Sequence, residues 1–359
     1  MPIRRTVHRT ALGIDRQLDR RRRIVTGGRL VLTPYRGLAR RLEVPILTSS
    51  SEAEPEAGPS GFEMLIRGRV LRERRVTRAT EPERLWRNVM NTYRRFHSIE
   101  LAEARVRASH ANAVVETVTD REGYFQARLA PDSIDSGHLW HELALELPDY
   151  ETTAIGHVLL PPHDADYGII SDIDDTIVHT GATSLLKMAR SLLANAASRL
   201  PFEGVADLYR ALHREHNPIF YVSSSPWNLY DLLHDFMDLN EIPHGPIFLQ
   251  DWGLDEETFI LAPHERHKLE QINLLLDYYP SLPFVLIGDS GQHDPEIYLQ
   301  VIQAHPGRIR AAFIRDVTHD LRARAVASII EQSNAAGVEM LYVRDSTEAM
   351  EHARRLGLV

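Results

Sequence analysis

Three carboxylates fall within four positions in the segment YGIISDIDDT, at Asp172, Asp174 and Asp175, directly behind a short apolar run. Like charges this close repel one another, and moving them out of water is costly unless a cation compensates. The cluster is therefore either a solvated acidic turn or a site for a metal ion. A calcium loop of the EF-hand type does not fit. Counted from Asp172, its obligatory sixth-position glycine would be Ile177 and its twelfth-position glutamate would be Thr183.

Further chemistry-bearing residues follow later apolar runs. IFYV is followed by Ser223, Ser224 and Ser225, and PFVLI by GDSGQHD with Asp289 and Asp294, while Lys268 opens the helical pattern between them. In an open parallel sheet, ligands bind just beyond the carboxyl ends of the strands, so all these groups are expected on one edge. Asp172, Asp174, Asp289 and Asp294 are hard oxygen ligands suited to Mg²⁺. Asp172 beside a cation could attack phosphorus, and Asp174, two residues on, could protonate the leaving alkoxide and then deprotonate water. Ser223 could bind a phosphoryl oxygen, with Ser224 or Ser225 as substitutes, although Ser225 before Pro226 also suits a helix cap. Lys268 could neutralise phosphoryl charge, with Arg266 and His267 nearby for the same task. Asp294 could alternatively cap its helix. HERH, His264 to His267, lacks the histidine pair of a zinc protease and reads as a loop.

The elements that must position these groups form two regions. Residues 28–160 read as β-rich, with GRLVLTPYRG and FEMLIRGRVLRERRV as strands and AVVETVTDREGYFQARLA as a hairpin turning at Asp120 to Gly123. HLWHELALEL alternates as a half-buried strand. EPERLWRNVMNTYRRF has helical spacing, and SSSEAEPEAGP reads as a loop. An antiparallel sandwich with one helix is expected there. In residues 161–359 six apolar runs, GII, PIFYV, PIFL, PFVLI, RIRAAFI and EMLYV, alternate with helical segments, which indicates an α/β domain with a parallel sheet.

Composition bounds the rest. The chain has 359 residues and no cysteine, which excludes disulfides, thiol nucleophiles and cysteine-bound zinc. No apolar run reaches the ~18 residues of a membrane span, and a cytoplasmic location with peripheral membrane contact is expected. Residues 1–41 hold 12 arginines against Asp15 and Asp19, a net charge of +10; the whole chain carries −9, so the remainder carries −19. An arm at 1–27 of this kind is either a solvated tail or a contact for an anionic partner such as a membrane surface, with nucleic acid the less favoured partner.

The ordered set DIDDT, YVSSS, HKLEQI and GDSGQHD resembles the four motifs of the haloacid dehalogenase superfamily, the first having the form D-x-D-x-T with Thr176 at its end. SDIDDTIVHTG, YVSSSPWNLYDLL and IGDSGQHDPEIY are similar to the actin-patch phosphatidate phosphatase family and its bacterial relatives, and lipins are more distantly similar. The closer resemblance covers residues 163–320. It implies a Rossmann-like α/β domain with a small cap, Mg²⁺ as cofactor, and hydrolysis of a phospholipid phosphomonoester through an aspartyl-phosphate, phosphatidate giving diacylglycerol. In that scheme Asp172, Asp174, Ser223 and Lys268 are catalytic, and Thr176 and Ser224 contact substrate. SLLKMARSLLANAASRL lies where such a cap is inserted, as a packed cap or an amphipathic element that touches lipid, and His179 is a candidate for lining the site. The competing readings are a phosphatase for a soluble or nucleic-acid phosphomonoester, and a membrane-recruited scaffold without activity.

Overall fold

The computed structural model describes residues 30–42, 61–72, 99–135, 137–177, 202–214, 216–250, 264–317 and 321–359. The Arg-rich arm, the acidic loop, the EPERLW segment, His179 and the expected cap helix lie outside these residues.

Nine strands make up the first region: β1 (Leu30–Pro34), β2 (Gly37–Leu42), β3 (Gly61–Arg72), β4 (Ile99–Glu100), β5 (Arg105–His110), β6 (Ala113–Val118), β7 (Tyr124–Leu129), β8 (Trp140–Leu147) and β9 (Thr152–Leu159). They form one continuous sheet in the order β1-β3-β2-β9-β8-β5-β6, with β4 and β7 branching from β3, rather than two separate sheets. The two parts are joined by a short parallel pairing of β2 with β9, Gly37 opposite Val158 and Leu38 opposite Leu159. Inward side chains of both parts, among them Met64, Ile66, Val106, Phe125, Leu143 and Leu145, share one core. The expected hairpin is corrected. Its turn forms, with the Gly123 amide donating to the Asp120 carbonyl at 3.1 Å and Gly123 at φ 80°, but β6 pairs with β5 and β7 with β3. The turn is a corner between the two parts.

The second region carries all six expected strands: β10 (Gly168–Ser171), β11 (Ile219–Pro226), β12 (Ile247–Gln250), β13 (Phe284–Asp289), β14 (Ile309–Arg315) and β15 (Glu339–Val343). Their order, β12-β11-β10-β13-β14-β15, is parallel throughout and doubly wound. Strands covered on both faces need apolar side chains in both directions, which is why they read as unbroken apolar runs. Helices α1 (Val205–His213), α2 (Tyr230–Leu239) and α6 (Ser346–Arg355) cover one face, and α3 (His264–Tyr278), α4 (Asp294–Ala304) and α5 (Leu321–Ala335) the other. The strand order reverses between β10 and β13, so the crevice for a ligand opens at their carboxyl ends.

The HERH segment is helical, contrary to the sequence expectation of a loop, and forms the first turn of α3. Its polar residues carry no apolar period, but Lys268 one turn later bonds Asp172 just past the end of β10 and anchors the helix start there.

Candidate active site

Asp172 follows β10 at the reversal point. Its amide donates to the Ile287 carbonyl of β13 at 2.8 Å. The side chain is buried, with Oδ1 2.9 Å from Lys268 Nζ and Oδ2 accepting from Thr176 Oγ1 at 3.1 Å. The chain then turns at Asp175, which takes φ 55°, a left-handed conformation that aspartate tolerates better than most residues.

Asp289 ends β13 and Asp294 opens α4. Lys268 Nζ also bonds Asp294 Oδ1. Asp294 Oδ2 accepts from the Asp289 amide at 3.1 Å, and this approach requires Gly288, because any Cβ there would collide with the Asp294 carboxylate. Asp289 Oδ1 accepts from the amides of Gly291 at 2.7 Å and Gln292 at 2.9 Å. Its Oδ2 is buried with no hydrogen-bond partner. Oxygens of Asp172, Asp289 and Asp294 all lie within 4.8 Å of one another, and all three residues are buried.

Electrostatics follow from that burial. Desolvation pushes Asp172 well above the carboxylate range, opposed by Lys268 and reinforced by Asp294, Asp289 and Asp174. Asp289 is pushed up to about 7, by burial first and then by Asp294. Lys268 is held firmly protonated, because the attraction of Asp172 and Asp294 outweighs its own desolvation. Among the described residues one ammonium thus faces four carboxylates, those of Asp172, Asp174, Asp289 and Asp294.

Asp174 stands outside the three-carboxylate group, although the sequence placed it among the metal ligands. Its Oδ2 accepts from Ser223 Oγ at 2.7 Å and Ser225 Oγ at 3.0 Å, while Oδ1 is buried without a partner. Burial raises its pKa and the two serine bonds lower it. Ser223, expected to meet a phosphoryl oxygen, donates its hydroxyl to Asp174. Ser224 is not brought to that carboxylate: side chains alternate along a strand, and its hydroxyl is buried without a partner. Ser225, weighed as a helix cap, joins Ser223, and the spacing of two along β11 is the signal that would have paired them. Gln292 was missed. Its Nε2 donates to the Asp174 carbonyl at 3.2 Å and ties the fourth motif to the first. Arg266 points to solvent and pairs with Glu270 at 2.8 Å.

The doubly wound parallel sheet thus groups three buried aspartates and a lysine at its reversal point. Residues 167–316 match the family described as phosphatidate phosphatase APP1, catalytic domain. Phosphatidate phosphatase APP1 of Saccharomyces cerevisiae is 37% identical over 150 residues, 41% of this chain and 25% of the yeast protein. An uncharacterised Schizosaccharomyces pombe protein is 31% identical over 154 residues, 42% of this chain and 25% of its own. The chain therefore spans about a quarter of the length of the curated relatives it matches. Among solved structures, a haloacid dehalogenase family hydrolase from Deinococcus radiodurans R1, with bound phosphate and sodium, is similar at 15% identity. That match covers 55% of this chain and 99% of the other with a TM-score of 0.36, too low to carry fold or ligand across.

Proposed function

We propose that the chain is a Mg²⁺-dependent phosphomonoesterase acting through an aspartyl-phosphate on Asp172, with phosphatidate as substrate and diacylglycerol as product. The observation that carries the reading is the buried triad Asp172, Asp289 and Asp294, balanced among the described residues by Lys268 alone, beside the unpartnered Oδ2 of Asp289. Its all-oxygen, anionic donor set fits a hard divalent cation, with Asp172 and Asp289 as the residues that would hold it and Asp294 fixing Lys268. Bound there, the cation offsets the carboxylate charge and polarises a phosphoryl oxygen.

In this reading the Asp172 carboxylate forms the new O–P bond while the bond to the alcohol breaks. Asp174 gives its proton to the departing oxygen. A raised pKa suits a group that must hold that proton near neutrality. Water then loses a proton to Asp174 and displaces Asp172 from phosphorus. Lys268 offsets charge on Asp172 and the phosphoryl group, and Thr176 orients the nucleophile.

The lipid substrate is supported by the family match and by the name of the yeast relative. The Arg-rich residues 1–41 support peripheral contact with an anionic leaflet, since each arginine near such a surface contributes roughly 1 kcal/mol. Among the described residues no helix is long and apolar enough to cross a membrane. The test is phosphate release from phosphatidate in mixed micelles against soluble phosphomonoesters, with Mg²⁺ and with chelator. Faster turnover of the soluble esters would reassign the substrate, and full activity after chelation would remove the cation.

A further inference from the structure

We propose that Tyr35, assisted by Arg36, is a positioning residue of the phosphatase site: the turn between β1 and β2 clamps Trp227 and Tyr230 and so fixes the serines that hold Asp174. The inference rests on the reading of Asp174 as acid and base.

Ser223 to Ser225 have little ladder to hold them. The pairing of β11 with β10 ends at Ser171 opposite Tyr221. On its other edge β11 slips register against β12: Val222 faces Phe248, but the next pair is Pro226 with Gln250. Three serines thus stand against the single residue Leu249. A bulge re-aims side chains and leaves its extra residues outside the ladder. Beyond the bonds of Ser223 and Ser225 to Asp174 and of the Ser225 amide to Ser223 Oγ at 2.9 Å, their position therefore depends on how the two ends of the segment are fixed. Val222 in the core fixes the upstream end.

Downstream, the chain passes through Pro226 at φ −73° into Trp227 and Tyr230. The Trp227 ring stacks on Tyr35 at 4.7 Å and 18°, and the Tyr230 ring lies 4.3 Å from Tyr35. The Arg36 amide donates to Tyr230 Oη at 2.7 Å. The Arg36 guanidinium reaches His234 Nε2 at 2.9 Å and lies over the Trp140 ring at 4.9 Å. Tyr35 is 5% exposed and, among the described residues, is the one buried side chain from residues 30–160 in the core on the α1, α2 and α6 face. The downstream anchor of the serines that hold Asp174 is therefore supplied by the turn between β1 and β2, about 190 residues earlier in the chain.

Such a clamp acts through Trp227 and Ser225 and touches no substrate, so its loss should lower kcat more than it changes KM. The test compares full-length wild type with Tyr35→Phe, Tyr35→Leu and Tyr35→Ala, and with Val106→Ala as a control. Val106 is fully buried in the same nine-stranded sheet, in the core those strands share. Amide hydrogen exchange over residues 222–230 and steady-state kinetics are read at a temperature where every variant is folded. Tyr35→Ala and Tyr35→Leu should exchange faster in that segment and lose about ten- to a hundredfold in kcat, with KM within about twofold. Tyr35→Phe keeps the stacked ring and should stay closer to wild type than Tyr35→Leu or Tyr35→Ala in both readouts. Val106→Ala should lower the melting temperature without changing either. Unchanged exchange in Tyr35→Ala and Tyr35→Leu, or an equal kcat loss in Val106→Ala, overturns the clamp. If wild type releases phosphate from no ester, the reading of the site fails, and hydrogen exchange alone decides the clamp.

Discussion

Lys268 Nζ stands 2.9 Å from Asp172 Oδ1, and both side chains are buried. Ninety-six residues separate the two in sequence. The ammonium also bonds Asp294, so one cation joins the carboxyl end of β10, the start of α3 and the start of α4. Replacing Lys268 by methionine keeps the stem and removes the charge. The buried carboxylates then lose their cation, a change that costs about 3–5 kcal/mol when one partner of a buried pair is deleted. We expect urea unfolding of Lys268→Met to show a loss of that order, together with loss of turnover.

Asp172→Asn separates chemistry from stability. An amide cannot attack phosphorus, so turnover should fall by at least about a thousandfold. The same change removes one of four crowded carboxylates and keeps an oxygen that accepts from Lys268. Because burial already disfavours the charged form of Asp172, the variant should melt at or above the wild-type temperature without metal. Retention of more than a few per cent of the wild-type rate would sink the nucleophile assignment, and a lower melting temperature would contradict the charge argument.

The serine pair gives a graded prediction. Ser223 and Ser225 each donate to Asp174 Oδ2, and a hydrogen bond to a charged group contributes roughly 1.5–3 kcal/mol. Ser223→Ala and Ser225→Ala should each lower kcat about ten- to a hundredfold. The double variant should lose less than the product of the two, because both bonds end on one oxygen. Ser224→Ala, on the other side of the strand, should be nearly silent.

How much of this was legible in the sequence depends on the range of the contacts. The six parallel strands were readable because burial on both faces demands continuous apolar runs, as in PFVLI. Asp172 and Asp289 lie where such runs end, and Asp294 opens the helix that follows the second, a place the sequence order alone indicates. The first turn of α3 was not, since HERH has no apolar period and its helix is anchored by Lys268. The Asp174–Ser225 contact and the β6–β7 corner depend on register between distant strands, and Tyr35 on a docking partner nearly two hundred residues away. Local patterns carry no record of either.

Metal binding should appear as stability as well as rate. A ligand that binds only the folded state adds about 2.7 kcal/mol at a hundred times its dissociation constant. Mg²⁺ should therefore raise the melting temperature of wild type, and chelation should reverse it. Asp289→Asn keeps the hydrogen bonds to the amides of Gly291 and Gln292 through its carbonyl oxygen but loses the anionic, unpartnered Oδ2. Its melting temperature should respond weakly to Mg²⁺. An equal response would place the cation elsewhere.

The joint between the two sheets should loosen in mild acid. Burial and the nearby Arg36 push His234 down to about 4, with Asp238 opposing and His244 and His157 adding to the depression. Its Nε2 faces the Arg36 donors, so it must keep a lone pair there, and its Nδ1 lies 3.3 Å from Asp238. An unfolded histidine takes its proton near 6.5. Between 6.5 and 4 the unfolded chain thus binds more protons than the folded one, and stability falls as pH falls through that window. His234 is partly open to solvent, which limits the loss between pH 7 and pH 5 to about 1 kcal/mol. Urea titrations at pH 7, 6 and 5 check this against His234→Gln, whose amide oxygen can accept from Arg36 without titrating. The variant should show a flatter pH slope, with a remainder due to His244, whose pKa is also lowered by burial. Parallel slopes for the two proteins would mean that His234 does not carry the acid sensitivity of the joint.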